Sequence, residues 1–182
     1  MPWYFTFGSN MHPSVLRRRQ VTPQITLRAV LPGWVYTNDY VGLPLFEPSF
    51  ATIRTRECWS KRNNGPSVPT TPPDVQGAAY LISEEDLQRI LRTEGGGGHA
   101  GVGYVTTDVV CHVYKEDAEK VPAEFRVPLP RAAADGKCRE ATVGVRAITL
   151  VGTGRAVACP MPLEPSIRYA YLVHSGIPRV CW

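Results

Sequence analysis

The sequence predicts an α+β chain built on a small, mostly antiparallel β-barrel with a few flanking helices. Short runs rich in aromatic and β-branched residues recur along the chain, separated by Pro or Gly. Only a few segments have helical spacing, and they do not alternate with strands in the βαβ rhythm of a parallel sheet. A length of 182 residues at 43% hydrophobic content suits one core of ordinary size, so a single domain over 1-182 is expected.

Residues 3 to 7, WYFTF, read as a short buried strand that breaks off at Gly8-Ser9-Asn10. That break is either an ordinary turn, in which Gly8 and Asn10 tolerate a positive φ, or a ligand cradle. His12-Pro13-Ser14 then places a proline in the first turn of a brief helix that runs toward Arg17, Arg18 and Arg19. Strands are expected at 25–31, 34–41, 50–54 and 76–82. The span from Thr55 to Asp74 holds Pro66, Pro69, Pro72 and Pro73 with Asn63-Asn64-Gly65, and reads as an irregular, mobile insertion.

The segment SEEDLQRILRTE carries the clearest helix. Ser83 is a suitable N-cap, Glu84, Glu85 and Asp86 place negative charge on the first turn, and Leu87, Ile90 and Leu91 share a face. The helix stops at the run Gly95 to Gly98, which leaves Glu94 at its C-terminal end, where the macrodipole disfavours a carboxylate. From Tyr104 to Tyr114 the chain alternates, with Val105, Thr107, Val109, Cys111 and Val113 on one face and Tyr104, Asp108 and His112 on the other. Residues 115 to 140 read as a second irregular insertion, followed by a strand near 142–151. In PSIRYAYLVHSG, Ser166 caps a helix in which Ile167, Ala170, Tyr171 and His174 fall at helical spacing, with Gly176 as its stop.

Several function classes are disfavoured. The five cysteines are scattered and form no CxxC pair, so neither a disulfide framework nor a zinc site is indicated. The net charge is only +4, and the basic clusters at Arg17–Arg19 and Arg54–Arg62 lack interleaved aromatics, so they read as solvated faces and not as a nucleic-acid platform. No window approaches the roughly 18 apolar residues of a membrane span, and the N-terminus lacks a secretory layout. A soluble cytoplasmic protein with no membrane or nucleic-acid partner is expected.

Motifs for known chemistries mostly fail on inspection. LVGTGRAVAC resembles the dinucleotide fingerprint, but Val157 replaces the third small residue and Cys159-Pro160 cuts off the helix the pyrophosphate needs. The Gly95 to Gly98 run lacks the Lys-Ser/Thr of a phosphate loop and follows a helix instead of preceding one. No serine lies in GxSxG, and the four histidines make no HxxxH pair. The Gly-Ser-Asn turn and Glu94 remain. A carboxylate beside glycine backbone at a helix end is either a solvated loop residue or a proton shuttle.

Four segments together resemble the γ-glutamylcyclotransferase family. They are YFTFGSNM (4 to 11), GAAYLISEEDLQRILRTEG (77 to 95), the glycine-to-tyrosine stretch at 101 to 104, and PSIRYAYLVHSG (165 to 176). The resemblance implies a small barrel whose strand-to-helix turn, here Gly8, Ser9 and Asn10, binds a γ-glutamyl group. It also implies that Glu94 is the catalytic acid/base, with no metal or organic cofactor. Met11 matches a hydrophobic position next to the turn, and Tyr104 and Tyr169 match aromatic positions that line the family's pocket. The departure is Phe7, where the family carries a tyrosine before Gly-Ser-Asn, and the four-glycine run is longer than the usual Glu-Gly. In these features the chain is similar to filamentous-fungal members, some of which trim glutathione-derived adducts on the way to sulfur-containing metabolites. The implied reaction is attack of the γ-glutamyl α-amine on its own γ-carbonyl, releasing 5-oxoproline. Phe7 and the glycine run keep open a scaffold reused as a cyclase or isomerase on a biosynthetic intermediate, or a non-catalytic binding module.

Overall fold

A computed structural model describes residues 1–43, 47–62, 72–94, 103–129, 141–152 and 165–176. The chain runs β1 (Trp3–Thr6), a 3-10 turn (Ser9–Met11), α1 (Pro13–Arg18), β2 (Ile25–Leu31), β3 (Trp34–Leu43), β4 (Glu47–Thr55) and α2 (Arg56–Arg62). It continues through β5 (Val75–Leu81), α3 (Glu84–Thr93), β6 (Tyr104–Tyr114), β7 (Arg126–Val127), β8 (Ala141–Gly152) and α4 (Ile167–Gly176).

Five strands close into a barrel in the order β1-β5-β2-β6-β8 and back to β1. Their pairings are antiparallel except at the seam, where β8 meets β1 in parallel at Tyr4 and Ile148. The Thr149 hydroxyl donates to the Phe5 carbonyl at 3.0 Å across that seam, adding a bond where the ladder is short. Alternation decides the contents: Phe5, Leu27, Ala29, Ala79, Cys111 and Val113 point inward and share one buried cluster. Phe5 is fully buried, which stabilises the fold by about 2–3 kcal/mol of transfer free energy. Gly77 is required beside it, because a Cβ there would lie 2.1 Å from the Thr6 carbonyl oxygen and 2.9 Å from the Phe5 ring. The residues at the end of β1 are therefore set by what fits inside the barrel.

The opposite faces of β1 and β5 present Tyr4, Ala78 and Tyr80 outward, where Leu16 and Val21 around α1 and Leu87 and Ile90 of α3 cover them. This second layer brings the C-terminal ends of α1 and α3 together beside the turn that follows β1. Helix α3 begins as expected, with Ser83 Oγ accepting from the Asp86 amide at 3.0 Å. Helix α1 closes in a Schellman motif, in which the Val21 amide reaches the Leu16 carbonyl and the Gln20 amide reaches the Arg17 carbonyl, each at 3.0 Å. The residue that must turn left-handed there is Gln20, at φ 57°, a conformation that costs a non-glycine residue free energy. Gln20→Gly is accordingly expected to raise stability by up to about 1 kcal/mol in urea denaturation; a loss would show that the glutamine side chain contributes more than its strained backbone costs.

Both stretches read as irregular insertions contain ordered structure. The first opens as α2, tied back by Arg56, which reaches the Pro72 carbonyl at 2.8 Å and Asp74 at 2.5 Å. The second opens with 3-10 turns at Lys115–Lys120 and Ala123–Phe125 and then pairs β7 on β8. Its anchors are Asp117, which is 4% exposed, Val121, and Phe125, whose ring meets Trp3 edge-on at 6.0 Å. Residues 63–71 and 130–140, the Gly95 to Gly98 run and most of LVGTGRAVAC lie outside the described residues.

Helix α4 also departs from expectation. Ser166 Oγ does cap it, accepting from the Tyr169 amide at 3.1 Å, but Ile167 is 91% and Tyr171 65% exposed. The inward stripe is Tyr169, Leu172, Val173 and Gly176, spaced i, i+3, i+4, i+7. Gly176 sets it: a Cβ there would lie 2.7 Å from the His12 backbone nitrogen, so the helix can dock closely only on the side that lacks a side chain. Among the described residues no helix is long and apolar enough to cross a membrane, and no group of three potential metal ligands forms.

Candidate active site

A cavity of about 330 Å³ opens at the end of β1. Phe7, Gly8, Ser9, Asn10, Glu94, Tyr104 and Tyr169 all line it, which gathers residues from the start, middle and end of the chain at one place. Met11 is not among them: it is 3% exposed and lines a neighbouring apolar cavity of about 550 Å³ that shares Phe7 and Tyr169 with the first.

Each wall follows from the fold. Glu94 caps the C-terminus of α3, its amide bonded to the Ile90 carbonyl at 3.0 Å, and its side chain turns across the end of β1. There Asn10 Nδ2 donates to Glu94 Oε1 at 3.0 Å and to the Tyr4 hydroxyl at 3.1 Å. The Gly-Ser-Asn turn and the helix-end acid are thus joined by a direct hydrogen bond over 84 positions of sequence. Gly8 adopts extended backbone, φ −115°, so positive φ is not what selects it. Space is: a Cβ at Gly8 would lie 3.2 Å from the Tyr169 hydroxyl.

Tyr104 and Tyr169 line the cavity and also hold the β3-β4 hairpin over the barrel. The Tyr104 hydroxyl donates to the Ala51 carbonyl at 2.7 Å, and the Tyr169 hydroxyl accepts from the Ala51 amide at 3.1 Å. One residue of β4, Ala51, is thus held through both its amide and its carbonyl. The phenols of Tyr4, Tyr104 and Tyr169 are all pushed above the ordinary tyrosine range, by burial first and also by the negative charge of Glu94. They remain neutral hydrogen-bonding groups at any physiological pH, so none of them is the base. Phe7 is 6% exposed and meets Tyr36 edge-on at 6.3 Å, filling the wall between the two cavities with apolar surface.

The sequence reading missed Arg19. Taken with its neighbours as a solvated basic run, it is instead paired with Glu94, Nη2 to Oε1 at 2.5 Å, with its side chain only 12% exposed. It also bonds Thr93 through Nη1. Only its place at the C-terminus of α1 hinted at a role, and many helix-terminal arginines serve the dipole alone. The other basic cluster does resolve into ion pairs, Arg54 with Asp39, Arg56 with Asp74 and Lys61 with Glu57.

No family model matches the chain. The γ-glutamyl cyclotransferase verK of Clonostachys rogersoniana is 34% identical over 131 residues, covering 69% of this chain and 69% of that protein. The γ-glutamyl cyclotransferase gliK of Aspergillus fumigatus is 32% identical over 124 residues, covering 66% of this chain and 44% of that protein, so the chain spans less than half of that relative's length. Among solved structures, a γ-glutamyl cyclotransferase from yeast described as specific to glutathione superposes with a TM-score of 0.62, at 16% identity over 100% of this chain and 88% of that one. A second γ-glutamyl cyclotransferase gives 0.57 at 15% identity over 96% and 77%. These two likenesses speak for the shared barrel fold, and the identity to verK across two thirds of both chains extends it to descent: the chain belongs to the γ-glutamyl cyclotransferase family.

Proposed function

We propose that the chain is a γ-glutamyl cyclotransferase that uses Glu94 as its acid/base. The observation that carries this reading is the Asn10–Glu94 hydrogen bond at 3.0 Å on the cavity wall, which puts one carboxylate beside a small-residue turn. The α-ammonium of a γ-glutamyl group gives a proton to Glu94, and the freed amine attacks the γ-carbonyl carbon. A five-membered lactam closes as the bond to the leaving nitrogen breaks and that nitrogen is protonated. The attacking nitrogen loses two protons between ammonium and lactam N–H; the leaving nitrogen gains two between amide and ammonium. Glu94 therefore ends as it began, and the products are 5-oxoproline and an amine.

Because the attack is intramolecular, holding the substrate bent toward the lactam is worth up to about 7–11 kcal/mol in favourable cases. The Gly8-Ser9-Asn10 turn supplies that hold, since its backbone allows close approach of a carboxylate or a developing oxyanion. The preferred substrate in this reading is a γ-glutamyl peptide conjugate with a bulky apolar group, as in a glutathione-derived adduct. The neighbouring apolar cavity supports it: its wall is shared through Phe7 and Tyr169, and Met11, Tyr36 and Val173 extend it.

A mass-spectrometric screen for 5-oxoproline tests both levels. The panel is γ-glutamyl dipeptides, γ-glutamylamines, glutathione, and glutathione S-alkylated with benzyl and methyl groups. Release from at least one substrate is expected, with the S-benzyl conjugate ahead of the S-methyl one. Silence across the panel would overturn the cyclotransferase reading, and equal rates for the two conjugates would overturn the role given to the apolar cavity.

A further inference from the structure

Glu94 is held unsymmetrically. Arg19 Nη2, at 2.5 Å, and Asn10 Nδ2, at 3.0 Å, both converge on Oε1. Among the described residues no donor reaches Oε2. The amide of Asn10 has a defined orientation, because its nitrogen faces two oxygens, those of Tyr4 and Glu94; turned over, its own oxygen would oppose the carboxylate. That orientation leaves Asn10 Oδ1 buried without a hydrogen-bond partner, although the residue is only 5% exposed and lines the cavity.

The arm that carries Arg19 is fixed at both ends. Its backbone is locked by the Schellman closure of α1, whose strained residue Gln20 offers its carbonyl to Arg89 of α3 at 3.1 Å. Its guanidinium spans Thr93 and Glu94 at the other end of α3. The two helices are thus bound twice, once around the turn and once at the carboxylate, and the second contact costs the rotational freedom of a long side chain. An exposed ion pair would repay little of that; here the side chains are 12% and 20% exposed.

We propose that Arg19 is a positioning residue that acts through Glu94: together with Asn10 it ties Oε1, so that Oε2 exchanges protons with the substrate. This rests on the cyclotransferase reading given above. A carboxylate free to spin would offer either oxygen at varying distance; one held by a guanidinium and an amide presents a single oxygen in one place.

Steady-state kinetics of Arg19→Met and Arg19→Lys on the best substrate of the panel test this. Arg19→Met is expected to lower kcat about 10–100-fold with KM changed less than about threefold, as a displaced reacting group does. Arg19→Lys recovers part of the loss, because an ammonium can bind Oε1 but cannot also fork to Thr93. Unchanged kcat in Arg19→Met, a loss confined to KM, or no recovery by lysine would overturn the proposal. Crystal structures of the wild type and Arg19→Met supply a readout that needs no turnover. The Glu94 carboxylate is expected to leave Asn10 in the variant; its staying in place would overturn the positioning role. If the panel is silent, the cyclotransferase reading fails, and the crystallographic comparison still decides what Arg19 does to Glu94.

Discussion

Glu94→Gln is expected to lower kcat for 5-oxoproline release by about three to four orders of magnitude while changing apparent affinity only a few-fold. The substitution is nearly isosteric. The amide oxygen still accepts from Asn10 and Arg19, so the α1–α3 contact and the cavity wall survive. What the substitution removes, in the proposed mechanism, is the group that takes a proton from the α-ammonium and returns one to the leaving nitrogen. Among the described residues no neighbour replaces it: Tyr4, Tyr104 and Tyr169 are held neutral by burial, and the other charged groups that line the cavity there, Arg18, Arg19 and Arg168, are cations. Product release measured by mass spectrometry, with ligand binding measured by calorimetry, separates the two effects. Turnover within tenfold of wild type would remove Glu94 from the mechanism.

Asp117→Asn is expected to destabilise the fold by about 2–3 kcal/mol at pH 7, although it lies outside the cavity. Its carboxylate, 6% exposed, accepts from the Arg28 backbone amide and Nε, each at 2.9 Å, and from Lys120 at 2.7 Å. Burial alone would raise its pKa; the hydrogen bonds from Lys120 and from the backbone and side chain of Arg28, with the Arg28 charge, overcome burial and hold it below the usual aspartate value. A folded-state pKa that is depressed stabilises the protein above the unfolded-state value, about 3.9, and that contribution is lost as pH falls through the folded one. Urea denaturation at pH 7 and at pH 3 should therefore show the gap between wild type and Asp117→Asn narrowing on acidification. A gap of constant size would mean that the charge of Asp117 is not what anchors the 3-10 turn to β2.

The local signals in the chain were reliable where a local force acts alone. Ser83 caps α3 because a side-chain oxygen there meets an otherwise unpaired amide, whatever the rest of the protein does. The alternation in β6 put Val109, Cys111 and Val113 in the barrel because adjacent side chains must point to opposite faces. Helix α4 shows where such reasoning stops. The helical spacing of Ile167, Ala170, Tyr171 and His174 does not mark the side that docks; Gly176 does, since the limit there is backbone contact with His12. Likewise, nothing local separates Arg19 from Arg17 and Arg18; the three differ in what lies across from them, and for Arg19 that is a residue 75 positions away.

By itself, the sequence determined the strand-rich plan, the break at Gly8-Ser9-Asn10 and the stranded acid at the end of α3, because each is written in short-range propensity and capping. Only the tertiary structure decided that these two features share a wall, that Arg19 and Asn10 hold the same oxygen of Glu94, and that Tyr104 and Tyr169 hold the same residue of β4. Those contacts depend on the closure of β8 onto β1 and on which faces of α1 and α3 cover the barrel. Such choices are made by the burial of surfaces distant in sequence, and no residue's own neighbours record them.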